Sequence, residues 1–201
     1  GGYDLNIKLE NQIISYLNKY LKKFDKIIVN DFGHGLLTKD IIRTLEKYPK
    51  KLFINSQTNS YNNGFNFITK YKKAFYISID EPEARLAVGD KTCHINQLYK
   101  KLKQKIKFDV CSITLGKKGT KVFKENKISF IPALIKNPVD TLGAGDAYFS
   151  ISSIFSSLIK NISVIGLIGN IAGAIKIQYL GHRFYVSKKK FLGYLKTLLN
   201  I

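Results

Sequence analysis

The sequence predicts an α/β protein with a mostly parallel central sheet covered on both faces, and three observations carry that expectation. Short apolar runs, such as Ile27-Ile28-Val29 and Leu52-Phe53-Ile54, alternate with longer segments whose apolar residues recur every three to four positions. The runs end in loops bearing glycine or asparagine, which is where open α/β sheets place their ligands. At 201 residues and 45% hydrophobic, the chain is large enough for a substantial core and is expected to form one domain over 1–201.

Ile13, Ile14, Leu17, Tyr20, Leu21 and Phe24 mark an amphipathic helix over 10–24, while Leu5, Ile7 and Leu9 alternate and leave the first residues open between helix and strand. Residues 26–30 read as a short buried strand that ends in the loop Asp31-Phe32-Gly33-His34-Gly35. A helix over 38–48, stopped by Pro49, precedes a strand at 52–54. That strand runs into Asn55-Ser56-Gln57-Thr58-Asn59-Ser60, and Asn62, Asn63 and Gly64 prolong the loop. As a binding loop it offers neutral donors and acceptors, Asn55 and Asn59 among them. As a plain loop it satisfies its own backbone.

The strand 74–79 leads into Asp80-Glu81-Pro82-Glu83, a favourable helix start with Pro82 at the first helical position and acids near the positive end of the dipole. A helix over 95–106 and a strand over 109–115 follow. Gly116 and Gly119 then allow a tight reversal into a strand at 120–123, and 128–131 is another short strand. Near the C-terminus, Val164, Ile165, Ile168, Ile171, Ala172 and Ile175 suggest a helix buried on most faces, and Ser187 can cap a final helix carrying Phe191, Leu192, Tyr194, Leu195 and Leu198.

Between these lies the stretch with the clearest chemistry, Asn137-Pro138-Val139-Asp140-Thr141-Leu142-Gly143-Ala144-Gly145-Asp146. Pro138 and the Gly143-Ala144-Gly145 triplet mark a loop. Ile151, Ile154, Phe155, Leu158 and Ile159 then fall at helical spacing, so Asp146 stands in the first turn of a helix. The first amides of a helix lack intrahelical partners and carry positive partial charge, which suits a phosphoryl oxygen, and small residues let an anion approach. A carboxylate at the same place can accept a hydroxyl proton, a role worth ~10²–10⁴-fold in rate. An ordinary turn glycine and an ordinary helix cap explain the same residues. No Gly-Lys-Ser/Thr follows, and Tyr148 occupies the place of a third glycine, so neither of the best-known phosphate loops is present.

Asp140-Thr141-Leu142-Gly143-Ala144-Gly145-Asp146 resembles the C-terminal signature of the ribokinase family, the PfkB-type carbohydrate kinases. The resemblance implies a three-layer ribokinase-like fold, Asp146 as catalytic base, and Gly143, Ala144 and Gly145 as the anion hole for the transferred phosphoryl group. Other matches follow in family order. Asp31 to Gly35 resembles a Ser-Asp-Tyr-Gly-Lys-Gly stretch of heptose-phosphate kinases, with His34 in place of lysine, and suggests Asp31 and Gly33 as substrate contacts beside Asn55 and Asn59. Asp80-Glu81-Pro82-Glu83 is similar to the Asn-x-x-Glu motif that orders Mg²⁺ and phosphate, with Asp80 replacing Asn and Glu83 kept. Thr114-Leu115-Gly116-Lys117-Lys118-Gly119 resembles the segment that lies against the nucleotide, and Asn170 falls in one similar to an adenine-flanking segment.

The resemblance runs from about Asp31 to the C-terminus. The family's earlier βα units, its glycine pair, its sugar-binding aspartate and its β lid find no match, so the fold is expected to be incomplete at its N-terminal side. A sheet lacking its first strands exposes an edge that favours pairing with another chain, as a homodimer or with the missing portion. The implied activity is ATP- and Mg²⁺-dependent phosphorylation of a sugar or sugar phosphate, with heptose phosphate the closest acceptor class. A nucleoside or vitamin kinase of the same fold, and a non-catalytic nucleotide-binding module, are the alternatives.

Composition bounds the rest. Lysine and arginine number 33 against 14 acids, a net charge of +19, but the lysines are scattered in short groups, which points to solvated faces rather than a nucleic-acid surface. No run of apolar residues is long enough for a membrane span, and no basic-then-apolar signal segment begins the sequence. Cys93 and Cys111 lie outside any metal-ligand spacing. A cytoplasmic protein with reduced cysteines is the expectation.

Overall fold

The structure, a computed structural model, describes residues 5–58, 64–135, 139–179 and 185–199. Two compact units divide the chain, Gly1–Cys111 and Ser112–Ile201. Six strands form one sheet in sequence order, β1 (Ile27–Asp31), β2 (Leu52–Ser56), β3 (Tyr76–Asp80), β4 (Val110–Thr114), β5 (Gly119–Lys124) and β6 (Lys127–Pro132).

In the first unit β1 pairs in parallel with β2, and β2 with β3, as strands linked through helices must. β2 is buried at every position and β3 at all but Asp80, whereas β1 alternates buried and exposed residues and leaves Ile28 44% exposed. The wholly buried strand expected at 26–30 is therefore half-covered, because β1 is the outermost strand and only one of its faces is packed.

Asn6 caps α1 (Ile7–Tyr20) by accepting from the Lys8 amide at 2.8 Å, which settles the ambiguous start as helix; the last expected residues, Leu21–Lys23, tighten into a 3-10 turn. α2 (Lys39–Leu45) is capped by Thr38 and ends before Pro49, which opens a separate 3-10 turn. α3 (Glu81–Val88) has Pro82 at its second position rather than its first and stops at Gly89, φ 72°. α4 is Ile95–Lys105. Leu52, Ile54, Tyr76, Ile77, Leu98 and Leu102 make the core of this unit.

In the second unit β5 and β6 form an antiparallel hairpin, turned at Glu125, φ 53°. Two helices follow, α5 (Ala144–Ser156) and α6 (Ile162–Lys176), packed on each other, and α7 (Lys188–Leu199) comes last, with the Ser187 hydroxyl accepting from the Lys190 amide at 3.3 Å. The apolar series that marked α5 in the sequence is not its buried face: Ile154 and Leu158 are exposed, and α5 buries Tyr148, Phe149, Ser152, Ser153 and Ser156 instead. α6 brings Gly169 and Gly173 to this contact, against the Tyr148 ring and the Ala144 carbonyl, while Gly166 faces Val122 and Ile131 of the hairpin. No helix among the described residues is long and apolar enough to cross a membrane.

Candidate active site

The phosphate-cradle expectation concerns the start of α5, all of it in the second unit. Gly143 is its N-cap, with φ 76° and ψ 7°, a left-handed conformation that glycine adopts without strain. No side chain caps the helix. The bend is held from outside: the amides of Val139 and Asp140 donate to the carbonyl of Ile177, at 2.9 and 3.3 Å, and the Asp140 carboxylate accepts from the Leu142 amide at 2.9 Å. Ala144 N–H donates to Thr141 O at 3.2 Å.

Gly145 differs from its neighbours. Its backbone is not left-handed, and a Cβ built there meets nothing within 4 Å. Glycine inside a helix costs about 1 kcal/mol relative to alanine, and no packing among the described residues demands it here. The space its missing side chain leaves open lies at an uncapped, positively polarised helix end. Asp146, half-buried, stands in the same first turn. Asn137 and Pro138 lie outside the described residues.

Thr114 ends β4, and Gly116 to Lys118 form a 3-10 turn closed by Leu115 N–H donating to Gly119 O at 2.8 Å. The two glycines are present for different reasons. Gly116 needs only its φ of 56°, whereas a Cβ on Gly119 would lie 2.1 Å from the Ile131 carbonyl, so the hairpin itself forces glycine there. Asn170 is committed to the fold: its amide nitrogen donates to the carbonyls of Ile131, at 3.2 Å, and Pro132, at 3.0 Å, and its oxygen accepts from Thr120 Oγ1 at 2.8 Å. Both amide protons are used.

In the first unit Asp31, Asn55, Asp80 and Glu83 meet in one hydrogen-bonded network at the carboxyl ends of β1, β2 and β3. Asp31 is only 3% exposed, and its carboxylate accepts from Tyr71 Oη at 2.7 Å, Asn66 Nδ2 at 3.2 Å and Gly33 N–H at 3.0 Å, with Lys70 Nζ 2.5 Å away. Burial, and then the Asp31 charge, pushes the Tyr71 hydroxyl well above its ordinary pKa, so it stays a donor. Asn66 also reaches the carbonyls of Asp31 and Gln57, at 2.8 and 3.1 Å. Gln57 in turn donates its side-chain amide to Asn55, and Asn55 to the Ser78 carbonyl, at 3.1 and 3.0 Å.

Thr58 N–H donates to Glu83 Oε1 at 2.7 Å, and Asp80 with Glu83 completes a reciprocal capping box on α3. Burial, and then the Asp80 charge, raises the Glu83 carboxyl to about 7, and burial raises Asp80 as well. Each carboxyl is thus held toward its neutral form, and the two hydrogen-bond each other, so the pair resists carrying two negative charges at once. Asn59, with Ser60, Asn62 and Asn63, lies outside the described residues.

Asn66, Lys70 and Tyr71 were not legible as site-forming residues. Asn66 sits in a run that reads as ordinary loop, and nothing local shows that Lys70 and Tyr71 close on an aspartate some 40 positions earlier; the Asn-rich 55–64 stretch was the only available hint.

A family described as pfkB family carbohydrate kinase matches residues 52–189. The chain is 30% identical over 186 residues to the bifunctional protein HldE of Aliarcobacter butzleri, covering 89% of this chain and 37% of that protein. It is 28% identical over 180 residues to the protein of the same name from Helicobacter hepaticus, covering 86% and 36%. It thus spans little more than a third of these curated relatives. Among solved structures, phosphofructokinase-2 from Escherichia coli in complex with potassium superposes with a TM-score of 0.76 at 12% identity, over 98% of this chain and 64% of that one. Ribokinase from Arabidopsis thaliana complexed with ribose and ATP gives 0.66 at 17%, over 96% and 60%. At such identities the likeness speaks for the fold, and it agrees with the α/β, mostly parallel architecture expected from the sequence.

Proposed function

Because the chain belongs to the pfkB family of carbohydrate kinases, we propose that it carries the phosphoryl-handling part of an ATP-dependent sugar or sugar-phosphate kinase. The observation that carries this reading is the start of α5: an uncapped helix end, a glycine at position 145 that packing does not require, and Asp146 in the same turn. In the proposed reaction Asp146 takes the proton of the acceptor hydroxyl as it attacks, and the amides at Gly143 and Gly145 face the charge on the transferring group; the Ala144 amide, which donates to Thr141 O, joins them only by sharing its proton with that carbonyl. ATP, when bound, supplies the phosphoryl group, and Mg²⁺ screens its charge.

The residues present fit a cation held mainly by nucleotide phosphates and water. No cluster of three or more His, Cys, Asp or Glu suited to a metal occurs among the described residues, so a fully protein-ligated site is not what they offer. Glu83 would hold such a cation through water: its oxygens accept the Thr58 and Asp80 amides, and a cation beside it would offset the repulsion from Asp80 and draw its carboxyl to the charged form. Thr114 and Gly116 are proposed to flank the nucleotide. For Asn170 the reading narrows to a structural one, with a single acceptor lone pair left for a ligand. Asp31 is likewise assigned to holding the strand-end loops rather than touching the acceptor directly. Asn55, buried and bonded to Gln57 and the Ser78 carbonyl, is assigned the same holding role. Gly33 and the loop through Asn59 remain the acceptor-side candidates, with heptose phosphate or a similar phosphosugar as acceptor class on the strength of the Asp31–Gly35 resemblance.

Since the chain spans little more than a third of its curated relatives, we infer that the sugar-binding half of the site is contributed by polypeptide outside this span. Full sugar-kinase turnover by the pure 201-residue chain would refute that part. The base assignment is tested by Asp146→Asn, for which a fall of ~10²–10⁴-fold in kcat is expected. Unchanged turnover in a system where the parent is active removes it.

A further inference from the structure

We propose that Tyr148 is the positioning residue that sets where the Gly143–Gly145 bend and Asp146 stand in the second unit. The inference builds on Asp146 as the base, but its geometry is independent of that reading. Two residues along a helix rotate the side chain by roughly 200°, so Tyr148 faces nearly opposite to Asp146. Tyr148 is 3% exposed. Its ring lies on the backbone of Gly169 in α6: a Cβ on that glycine would come within 2.4, 2.6 and 2.7 Å of the ring atoms Cε2, Cδ2 and Cζ. Its hydroxyl donates to Ser112 Oγ on β4 at 3.0 Å.

The ring therefore sets how closely α5 approaches α6, and the hydroxyl fixes rotation about the α5 axis. One turn farther along α6, a Cβ on Gly173 would lie 3.6 Å from the Ala144 carbonyl, and beyond it Ile177 O receives the Val139 and Asp140 amides. The bend is thus tied to the end of α6 on one side and anchored through Tyr148 on the other. Asp146 and the Gly145 amide share a turn with that anchor, so a displacement of Tyr148 moves both together. This also accounts for glycine in the interior of a buried helix, where it otherwise weakens the helix.

The test uses Gly169→Ala, which leaves no room for the ring as it stands, and Tyr148→Phe, which keeps the ring and removes the hydroxyl. Ile165→Val serves as a control that lightens α6 elsewhere. The first readout is hydrogen exchange at the Ala144 and Ala147 amides, which donate to Thr141 O at 3.2 Å and Gly143 O at 3.0 Å. Exchange is expected to rise roughly tenfold in Gly169→Ala and about threefold in Tyr148→Phe, with the β2 amides unchanged. Adding Tyr148→Leu to Gly169→Ala should recover part of the protection, because the smaller side chain makes room. Unchanged exchange at Ala144 and Ala147, or an equal rise in Ile165→Val, overturns the proposal.

The second readout is ATP-dependent phosphotransfer, measured with the same substitutions in a longer polypeptide that supplies the sugar-binding half and turns over. Gly169→Ala is expected to lower kcat roughly 10–100-fold with KM for ATP held within about threefold. If Asp146→Asn abolishes turnover and Gly169→Ala leaves kcat intact, the positioning role fails. If the exchange shifts as expected and Asp146→Asn is without effect, the base reading fails while the anchoring of the bend stands.

Discussion

At the scale of single residues, two positions separate a requirement of the fold from a requirement of chemistry. Gly145 has an ordinary backbone conformation and open space where a side chain would go. Replacing it with alanine should raise stability by about 0.5–1 kcal/mol, because glycine weakens a helix, and should lower phosphotransfer, because the added methyl stands where an anion must approach. Urea midpoints and turnover moving in opposite directions would verify this. Glu83 is the second case. Its carboxyl is raised from an ordinary 4.5 to about 7, first by burial and then by Asp80, so the folded state holds the proton more tightly than the unfolded chain does. Its contribution to stability is therefore full below pH 4.5 and is lost as pH rises through about 7; Glu83→Gln should flatten the stability profile across that window, measured by denaturant titration at several pH values. Asp31 behaves differently again. With its carboxylate buried against Tyr71, Asn66 and Lys70, Asp31→Ala should cost on the order of 2–3 kcal/mol, and a near-neutral result would mean that the network does not hold the strand ends.

At the scale of elements, α5 and the β4–β5 turn show how packing selects among readings the sequence leaves open. The buried serines of α5 satisfy their hydroxyls within their own helix: Ser153 Oγ donates to the Ser150 carbonyl at 3.1 Å and Ser156 Oγ to the Ser153 carbonyl at 3.0 Å. They act there as small residues. Ser156→Ala should change stability by no more than about 0.5 kcal/mol, whereas Ser156→Leu should cost about 1–3 kcal/mol by overfilling a closely packed helix pair. In the turn, Gly119 has both a φ of 117° and a backbone oxygen in the way, while Gly89 at the end of α3 has a φ of 72° and free space. Alanine at 89 should cost roughly 1–2 kcal/mol of backbone strain; alanine at 119 should cost clearly more, since the hairpin must shift as well. Equal thermal shifts for the two would contradict the 2.1 Å approach that distinguishes them.

At the scale of the whole molecule, charge and sheet edges set behaviour in solution. With a net charge of +19, self-repulsion works against the folded state, and raising salt from about 0.01 to 1 M should raise the urea midpoint as the Debye length shrinks from ~30 to ~3 Å. The outermost strands of the sheet both carry exposed apolar side chains, Ile28 on β1, and Ile128 and Phe130 on β6. Ile28→Lys should reduce aggregation, followed by light scattering, at little cost in stability, because that side chain is nearly half in water already. The sequence by itself determined the kinds and order of the elements, the loops at the strand ends and the place of Asp146 in a first helical turn, because periodicity, caps and glycine or proline punctuation act over a few residues. Only the tertiary structure decided that α5 buries its serines instead of its isoleucines, that Asn170 braces a hairpin and that Asp31 closes a buried network. Those outcomes depend on partners 50 positions away in the case of Thr120 and Asn170, and 35 in the case of Asp31 and Asn66, and no local pattern encodes a distance in space between residues so far apart in the chain.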